Sequence, residues 1–452
     1  MDAAVSSLST ESSTPASAAL ASAKRKAFWR LLPLCFVCYV VAYVDRTNVS
    51  LAKLTMAKSL PWLTEQVYSF AGGAFFWGYF LLEIPGSILV EKWSARLWIG
   101  RIMITWGLIA AGTAFVQSPT QFTVARFILG LGEAGFFPGI IIYLTHWFPS
   151  RDRARALSVF LIATPFAQMI GPKITGAIAV VDTFTIAGLH LQGWQLVFIA
   201  WGIPAALLGV VVLFALTDRP RKAAWLTPEE RDALEAELER ERAVAVARHR
   251  MTFAEAARNP KVLLLVLAYF FVVAGNYGVI EFFLPSILDG WYHLKMSSIT
   301  SYMMIGPALA LVSQLFVGWS SDRTRERRIH TVVPIAIGGL AFVGLAFSRG
   351  NLPLTIACVA VAAAGTKAYQ PAFWSLPSLF LTSTAAAGSV GLINSVGNLG
   401  GGGLATPLMG YLKQHTGSYV TGILIMAASM FLAAAIVFFL GLGKQAPPSE
   451  NS

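Results

Sequence analysis

The chain has 452 residues, 56% of them hydrophobic and 13% charged, with a mean hydropathy of +0.63. A water-soluble protein of this length carries roughly twice that charged fraction, which excludes a soluble enzyme or binding module. The net charge of +11 would suit a nucleic-acid partner, but the basic residues are segregated in a way that reads as membrane topology, so no nucleic acid is expected.

The first 23 residues are rich in Ser and Ala and have no apolar core ahead of Lys24, Arg25 and Lys26, so they are not a secretory signal. Residues 1–27 read as a disordered cytoplasmic tail; an organellar transit segment is the alternative, weakened because no Arg precedes Arg25. Twelve apolar runs follow, each near the ~20 residues that cross about 30 Å of hydrocarbon: 28–51, 66–90, 97–117, 120–147, 155–181, 193–217, 261–288, 297–320, 329–347, 352–380, 386–413 and 418–443. Cys35 and Cys38 fall in the first and Cys358 in the tenth, with no further ligand types nearby, and read as small apolar packing groups. The polar stretch 218–260 separates the runs six and six. Within it Thr227 reads as an N-cap, Pro228 as the first helical residue and Glu230 as the partner in a capping box. The charged stretch from Arg231 to Arg242 then reads as a solvated linker helix. The expected domains are the halves 28–217 and 261–443, the linker 218–260 and a short tail 444–452.

Lys and Arg crowd one side of these runs: Lys24, Arg25, Lys26 and Arg30; Lys92, Arg96 and Arg101; Arg151, Arg153 and Arg155; the linker; and Arg323, Arg325, Arg327 and Arg328. The other side has only Lys53, Lys58, Lys295, Arg349 and Lys413. By the positive-inside rule both termini and the linker are cytoplasmic.

The halves echo each other. Gly86-x4-Glu91-Lys92-x-Ser94-Ala95-Arg96 follows the second run, and Gly318-x3-Asp322-Arg323-x-Arg325-Glu326-Arg327-Arg328 follows the eighth. Gly allows close helix approach at the turn, an acid can accept from a neighbouring helix N-terminus, and the bases stay cytoplasmic. Two copies at equivalent places imply a parallel repeat of six-helix units. The paired motifs resemble the signature of the major facilitator superfamily. The stretches YVDRTNVSLA (43–52), GYFLLEIPGS (78–87), RFILGLGEAGFFPGIIIYLTHWFPSRDRARA (126–156), WLTPEER (225–231), FFLPSIL (282–288) and GLINSVGNLGG (391–401) resemble its anion:cation symporter branch, with tartrate, 4-hydroxyphenylacetate and phthalate-type permeases nearest. The resemblance covers about 28–443 and implies an all-α polytopic fold of twelve transmembrane helices in two halves. Ser94 departs from the usual Gly, and Lys173, Lys367 and Glu281 look like additions.

Charges at bilayer depth cost several kcal/mol and persist where they pair, face water or do chemistry. Arg126 and Glu133 lie seven apart, two helical turns and about 10 Å along the axis, so they share one face without touching. An arginine there can grip a carboxylate with two parallel hydrogen bonds. Asp45 and Arg46 are adjacent and diverge by about 100°, so each needs a partner elsewhere. The resemblance implies that Asp45 and Glu133 couple protons and that Arg46 and Arg126 hold the organic anion. Lys367, Gln370 and Trp374 form a further stripe at i, i+3 and i+7, suited to a carboxylate on a hydroxylated or aromatic body; the alternative is Lys367 buried against Glu281 with Trp374 in packing. Lys173, Gln168, Tyr43, Tyr143 and Tyr277 are further cavity candidates, and Asn394 and Asn398 serve either substrate hydroxyls or interhelical bonds. Glu83, Glu91, Lys92, Arg96, Asp322 and Arg323 read as gating or structural residues.

Gly130-x-Gly132-x-x-Gly135 matches a dinucleotide fingerprint, but it lies mid-membrane with no preceding strand and reads as helix packing. The six His show no ligand spacing, so no metal, cofactor or catalytic cluster is expected. The expected function is proton-coupled uptake of an organic carboxylate (a hydroxy-, di- or aromatic acid) by a monomer in a bacterial inner membrane. Na⁺ coupling, anion exchange or a nutrient-sensing role are the alternatives.

Overall fold

The structure is a computed structural model and describes residues 15–92, 94–186, 188–247, 258–381 and 383–442. It is almost wholly helical. Ten helical stretches among the described residues are long and apolar enough to cross a membrane, and the second and eleventh expected runs are helical as well.

The first half contains α1 (Pro15–Ser59), α2 (Glu65–Lys92), α3 (Ala95–Gly112), α4 (Pro119–Glu133) with α5 (Phe136–Thr145), α6 (Ser150–Leu161) with α7 (Ala163–Ala179), and α8 (Gly193–Ala215). The linker helix α9 (Pro228–Ala247) follows. The second half contains α10 (Pro260–Gly275) with α11 (Leu284–Tyr292), α12 (Met296–Thr324), α13 (Arg328–Ala346), α14 (Leu352–Ala368) with α15 (Gln370–Phe373), α16 (Ser383–Asn398) with α17 (Thr406–Thr416), and α18 (Val420–Leu440). Within the first half α3 packs on α8, α2 on α4 and α1 on α7; within the second, α13 packs on α18 and α14, and α12 on α14. The halves meet chiefly where α7 lies on α12 and α2 on α17.

Local chemistry explains where helices start. Ser118 accepts from the Gln121 amide at 3.2 Å with Pro119 as the first helical residue of α4, and Asn351 caps α14 in the same manner at 3.1 Å. Among the crossings that are not continuous, three bear on the site. The fourth breaks just after Glu133 because Gly135 sits at φ +85°, a left-handed conformation that only Gly adopts without strain. The seventh and eleventh pass through wide π-helical turns, Asn276–Glu281 and Leu399–Ala405. Such turns expose carbonyls and re-aim side chains, and they recur at functional sites. Phe214 and Phe439 are each 83% exposed, which suits hydrocarbon rather than water.

Several expectations meet a different geometry. Helix α1 begins at Pro15, inside the stretch read as a tail, where Lys24 pairs with Asp152 at 2.8 Å. The capping box forms as read, with Glu230 N–H donating to Thr227 Oγ1 (3.3 Å) and Thr227 N–H to Glu230 Oε2 (3.0 Å). The linker helix, however, is not solvated all round. Glu230, Leu234 and Leu238 are buried at four-residue spacing, and that stripe packs on α1. The loop read between the fifth and sixth runs carries a small hairpin, β1 (Phe184–Ile186) paired antiparallel with β2 (Leu189–Leu191). The tail beyond 442 lies outside the described residues.

Candidate functional site

The charged residues of the first half converge beside α2. The Arg46 guanidinium reaches Glu133 on α4, with Nε donating to Oε1 at 3.1 Å and Nη2 making a second bond to the same oxygen. It also stands over the rings of Phe75 (5.5 Å) and Tyr79 (5.2 Å). Arg126 is fully buried, with its guanidinium 5.0 Å from the Phe75 ring centre. None of its three side-chain nitrogens has a hydrogen-bond partner among the described residues. The seven-residue spacing thus places Arg126 and Glu133 on one helix without direct pairing, and it is Arg46 that neutralises the acid. Asp45 finds other partners. It accepts from Trp106 Nε1 at 2.6 Å and Asn48 Nδ2 at 3.0 Å. Asn48 lies three residues along from Asp45, a signal the sequence carried; nothing in it pointed to Trp106.

A second polar centre sits between the halves on the π-helical turn of the seventh crossing. Glu281 Oε1 accepts from Tyr43 Oη (2.5 Å), Asn276 Nδ2 (2.7 Å) and Gln168 Nε2 (3.2 Å), and Lys367 Nζ lies 3.5 Å away. Gln168 Nε2 also reaches Tyr43 Oη at 2.9 Å, and Thr366 Oγ1 donates to Asn276 Oδ1 at 3.3 Å. Glu281 forms a pair with Lys367, the alternative that the sequence left open.

The remaining candidates disperse. Lys173 is exposed and donates to Ser301 Oγ (2.5 Å) and the Ser297 carbonyl (3.3 Å), tying α7 to α12 away from Glu281. Gln370 and Trp374 do not join Lys367: Gln370 meets Gln314 at 3.4 Å, and Trp374 packs on Tyr269 with ring centres 4.9 Å apart. Pro371 breaks the helical ladder between them, since its ring clashes with the carbonyl four residues back. Asn394 donates to Glu83 at 2.8 Å across the second and eleventh crossings, an interhelical bond. Tyr277 Oη lies 3.5 Å from Asn398 Oδ1, and its ring packs at a tilt on Phe76 with ring centres 4.7 Å apart. Tyr143 donates to the Thr217 carbonyl at the end of the sixth crossing, far from these groups in the chain's layout.

Of the paired loop motifs, the side chains of Glu91 and Lys92 lie outside the described residues. The acceptor at the start of α3 is Asp218, which takes Ser94 Oγ (2.7 Å) and the Arg96 amide (3.0 Å). In the other copy Asp322 pairs with Arg327 at 2.6 Å, Arg323 stacks on Trp319, and Glu326 caps α13. Gly130 presses on the Phe75 carbonyl of α2, so the glycine pattern serves helix packing. Cys35 and Cys38 are buried in α1 as free thiols.

Sequence reasoning missed one cluster. Lys53, read as a loop residue, is only 4% exposed. It reaches Glu65 Oε2 at 2.6 Å and Ser286 Oγ at 2.9 Å, while Tyr419 donates to Glu65 Oε1 at 3.2 Å. These bonds join both halves at the end of the bundle remote from the termini.

A family model described as Major Facilitator Superfamily matches residues 35–405. The chain belongs to the major facilitator superfamily. It is 38% identical over 418 residues to a protein of Agrobacterium vitis named, provisionally, for tartrate transport, covering 92% of this chain and 90% of that one. It is 37% identical over 417 residues to NicT of Pseudomonas putida, named provisionally as a metabolite transport protein, covering 92% and 93%. The inward open conformation of the xylose transporter XylE from E. coli superposes with a TM-score of 0.73 at 13% identity, covering 92% of this chain and 97% of that one, a likeness of fold. This member of the superfamily is a multi-pass membrane transporter of small organic substrates, not an enzyme.

Proposed function

We propose that this transporter takes up an organic carboxylate together with protons, by alternating access, across a bacterial inner membrane. The observation that carries the reading is Arg126: a fully buried guanidinium whose three nitrogens have no hydrogen-bond partner among the described residues. An unpaired buried charge costs several kcal/mol, so a chain keeps one there for an anion that arrives. A carboxylate can take two parallel bonds from it. Arg46 is the second grip and is neutralised by Glu133 in the empty carrier. A proton on Glu133 releases Arg46 to the substrate, so loading the anion and loading the proton favour each other. Each surplus proton carried inward adds about 2.3 kcal/mol per 100 mV of membrane potential.

The relative named for tartrate supports a carboxylate, with hydroxy-, di- and aromatic acids as the class. The segregation of Lys and Arg supports cytoplasmic termini and a cytoplasmic linker at 218–260 between halves 28–217 and 261–443. The carrier is proposed to work as a monomer.

The test is uptake into proteoliposomes under an imposed pH gradient and then an imposed Na⁺ gradient. Accumulation of carboxylate with the pH gradient alone is expected. Accumulation with Na⁺ alone contradicts proton coupling, and failure of every carboxylate tried contradicts the substrate class.

A further inference from the structure

Glu281 has an asymmetry that pairing with Lys367 does not explain. Its oxygen Oε1 is crowded by Tyr43, Asn276, Gln168 and Lys367, drawn from both halves. Its oxygen Oε2 is buried and has no hydrogen-bond partner among the described residues, although the residue is only 5% exposed. A buried acceptor left unmade costs free energy comparable to a lost hydrogen bond.

Glu281 lines a small cavity. Glu281, Gln168 and Thr47 form the polar edge of a cavity of about 40 Å³ whose other walls include Met303, Pro307 and Val359. That volume holds a water-sized polar group. The Thr47 hydroxyl is committed to the Tyr43 carbonyl of its own helix at 3.0 Å, so it does not serve Glu281. The π-helical turn Asn276–Glu281 and the Thr366–Asn276 bond fix the carboxylate in place.

We infer that Glu281 is a specificity-determining residue that accepts a hydrogen bond, through Oε2, from a hydroxyl on the substrate. This deepens the carboxylate reading above and rests on it. With Oε1 held by its donors, the carboxylate offers the cavity an acceptor and negative character. It therefore orients the substrate, with its anionic group on Arg126 and its hydroxylated carbon towards the second half. Lys367 serves Glu281 and not the substrate, so it does not select dicarboxylates. A site built to bond a hydroxyl rejects analogues that lack it, because its own polar group is then left unmade.

The test measures binding of tartrate, malate, fluorosuccinate and succinate by calorimetry to the full-length protein in nanodiscs. Malate and fluorosuccinate are close in size, but fluorine cannot donate. The inference expects malate to bind about tenfold or more tightly than both fluorosuccinate and succinate, in line with a hydrogen bond to a charged group. In Glu281→Gln the amide oxygen can keep the three donors while an NH₂ group replaces the free acceptor, so the malate-to-succinate ratio should fall to within about threefold. Equal binding of malate and succinate by the wild type, fluorosuccinate binding as tightly as malate, or an unchanged ratio in Glu281→Gln would each overturn it. The wild-type series decides the matter even if the variant does not fold. No binding of any of the four acids overturns this inference, while the wider carboxylate reading stands or falls on the uptake assay above.

Discussion

Arg126 and Glu133 share a helix but play separate parts, and the difference lies in their partners. Arg126 has no hydrogen-bond partner among the described residues, whereas Glu133 is gripped by Arg46 from α1. The proposed grip of Arg126 on a carboxylate depends on a planar fork of donors, so Arg126→Lys should lose most transport although charge is kept. The check is initial uptake at substrate concentrations near the wild-type KM; near-normal rates would take Arg126 out of the site. The sequence made these four charges legible through their burial in apolar runs, and the seven-residue spacing correctly separated Arg126 from Glu133. It could not tell which of two arginines would meet the acid, nor that Asp45 would turn towards Trp106, because both depend on how helices face each other. Lys53 was hidden for another reason. It sits at the end of a run, where a lysine usually reaches water, and its burial arises only when α11 and the start of α18 close over it.

Among elements, the linker helix differs most from its reading. Its sequence is charged on nearly all faces, yet a narrow stripe of Glu230, Leu234 and Leu238 suffices to dock it on α1. Two leucines four apart are a weak periodic signal amid so many charges, which is why the sequence suggested solvation. Burial alone would push the Glu230 carboxyl up, but donors from Lys26, Ser22 and the Thr227 backbone outweigh it and hold the group at about 2. A carboxyl depressed in the folded state contributes stability that is present above its unfolded value near 4.3 and lost as pH falls through the folded value. Hydrogen exchange across α9 should therefore show protection that is steady from pH 7 to about 5 and declines towards pH 2. Glu230→Gln should weaken that protection already at pH 7. Protection in the variant equal to wild type would contradict a docking role for this tie. The breaks at Gly135 and at the two π-helical turns were not legible as breaks, since length and hydropathy describe a continuous apolar run equally well.

Over the whole molecule, twelve crossings and their division into halves were the most legible features, because hydrocarbon imposes both length and internal hydrogen bonding. The two halves are held together at the end remote from the termini by Lys53, Glu65, Ser286 and Tyr419, and by Lys173 with Ser297 and Ser301. Transporters built from such halves work by rocking one against the other. Lys53→Met removes the central donor, so spin labels at Gln66 and Gln414, both at that end, should show a larger population of long distances. An unchanged distance distribution would mean that these bonds do not hold the halves together. In the proposed proton coupling the decisive event lies at Glu133, whose charge would alternately occupy Arg46 and give it up. Glu133→Gln fixes the protonated condition, and one assay in proteoliposomes reads both consequences: exchange of labelled for unlabelled carboxylate, and accumulation under an imposed pH gradient. Retained exchange with lost accumulation is the predicted result; full pH-driven accumulation by Glu133→Gln would contradict it.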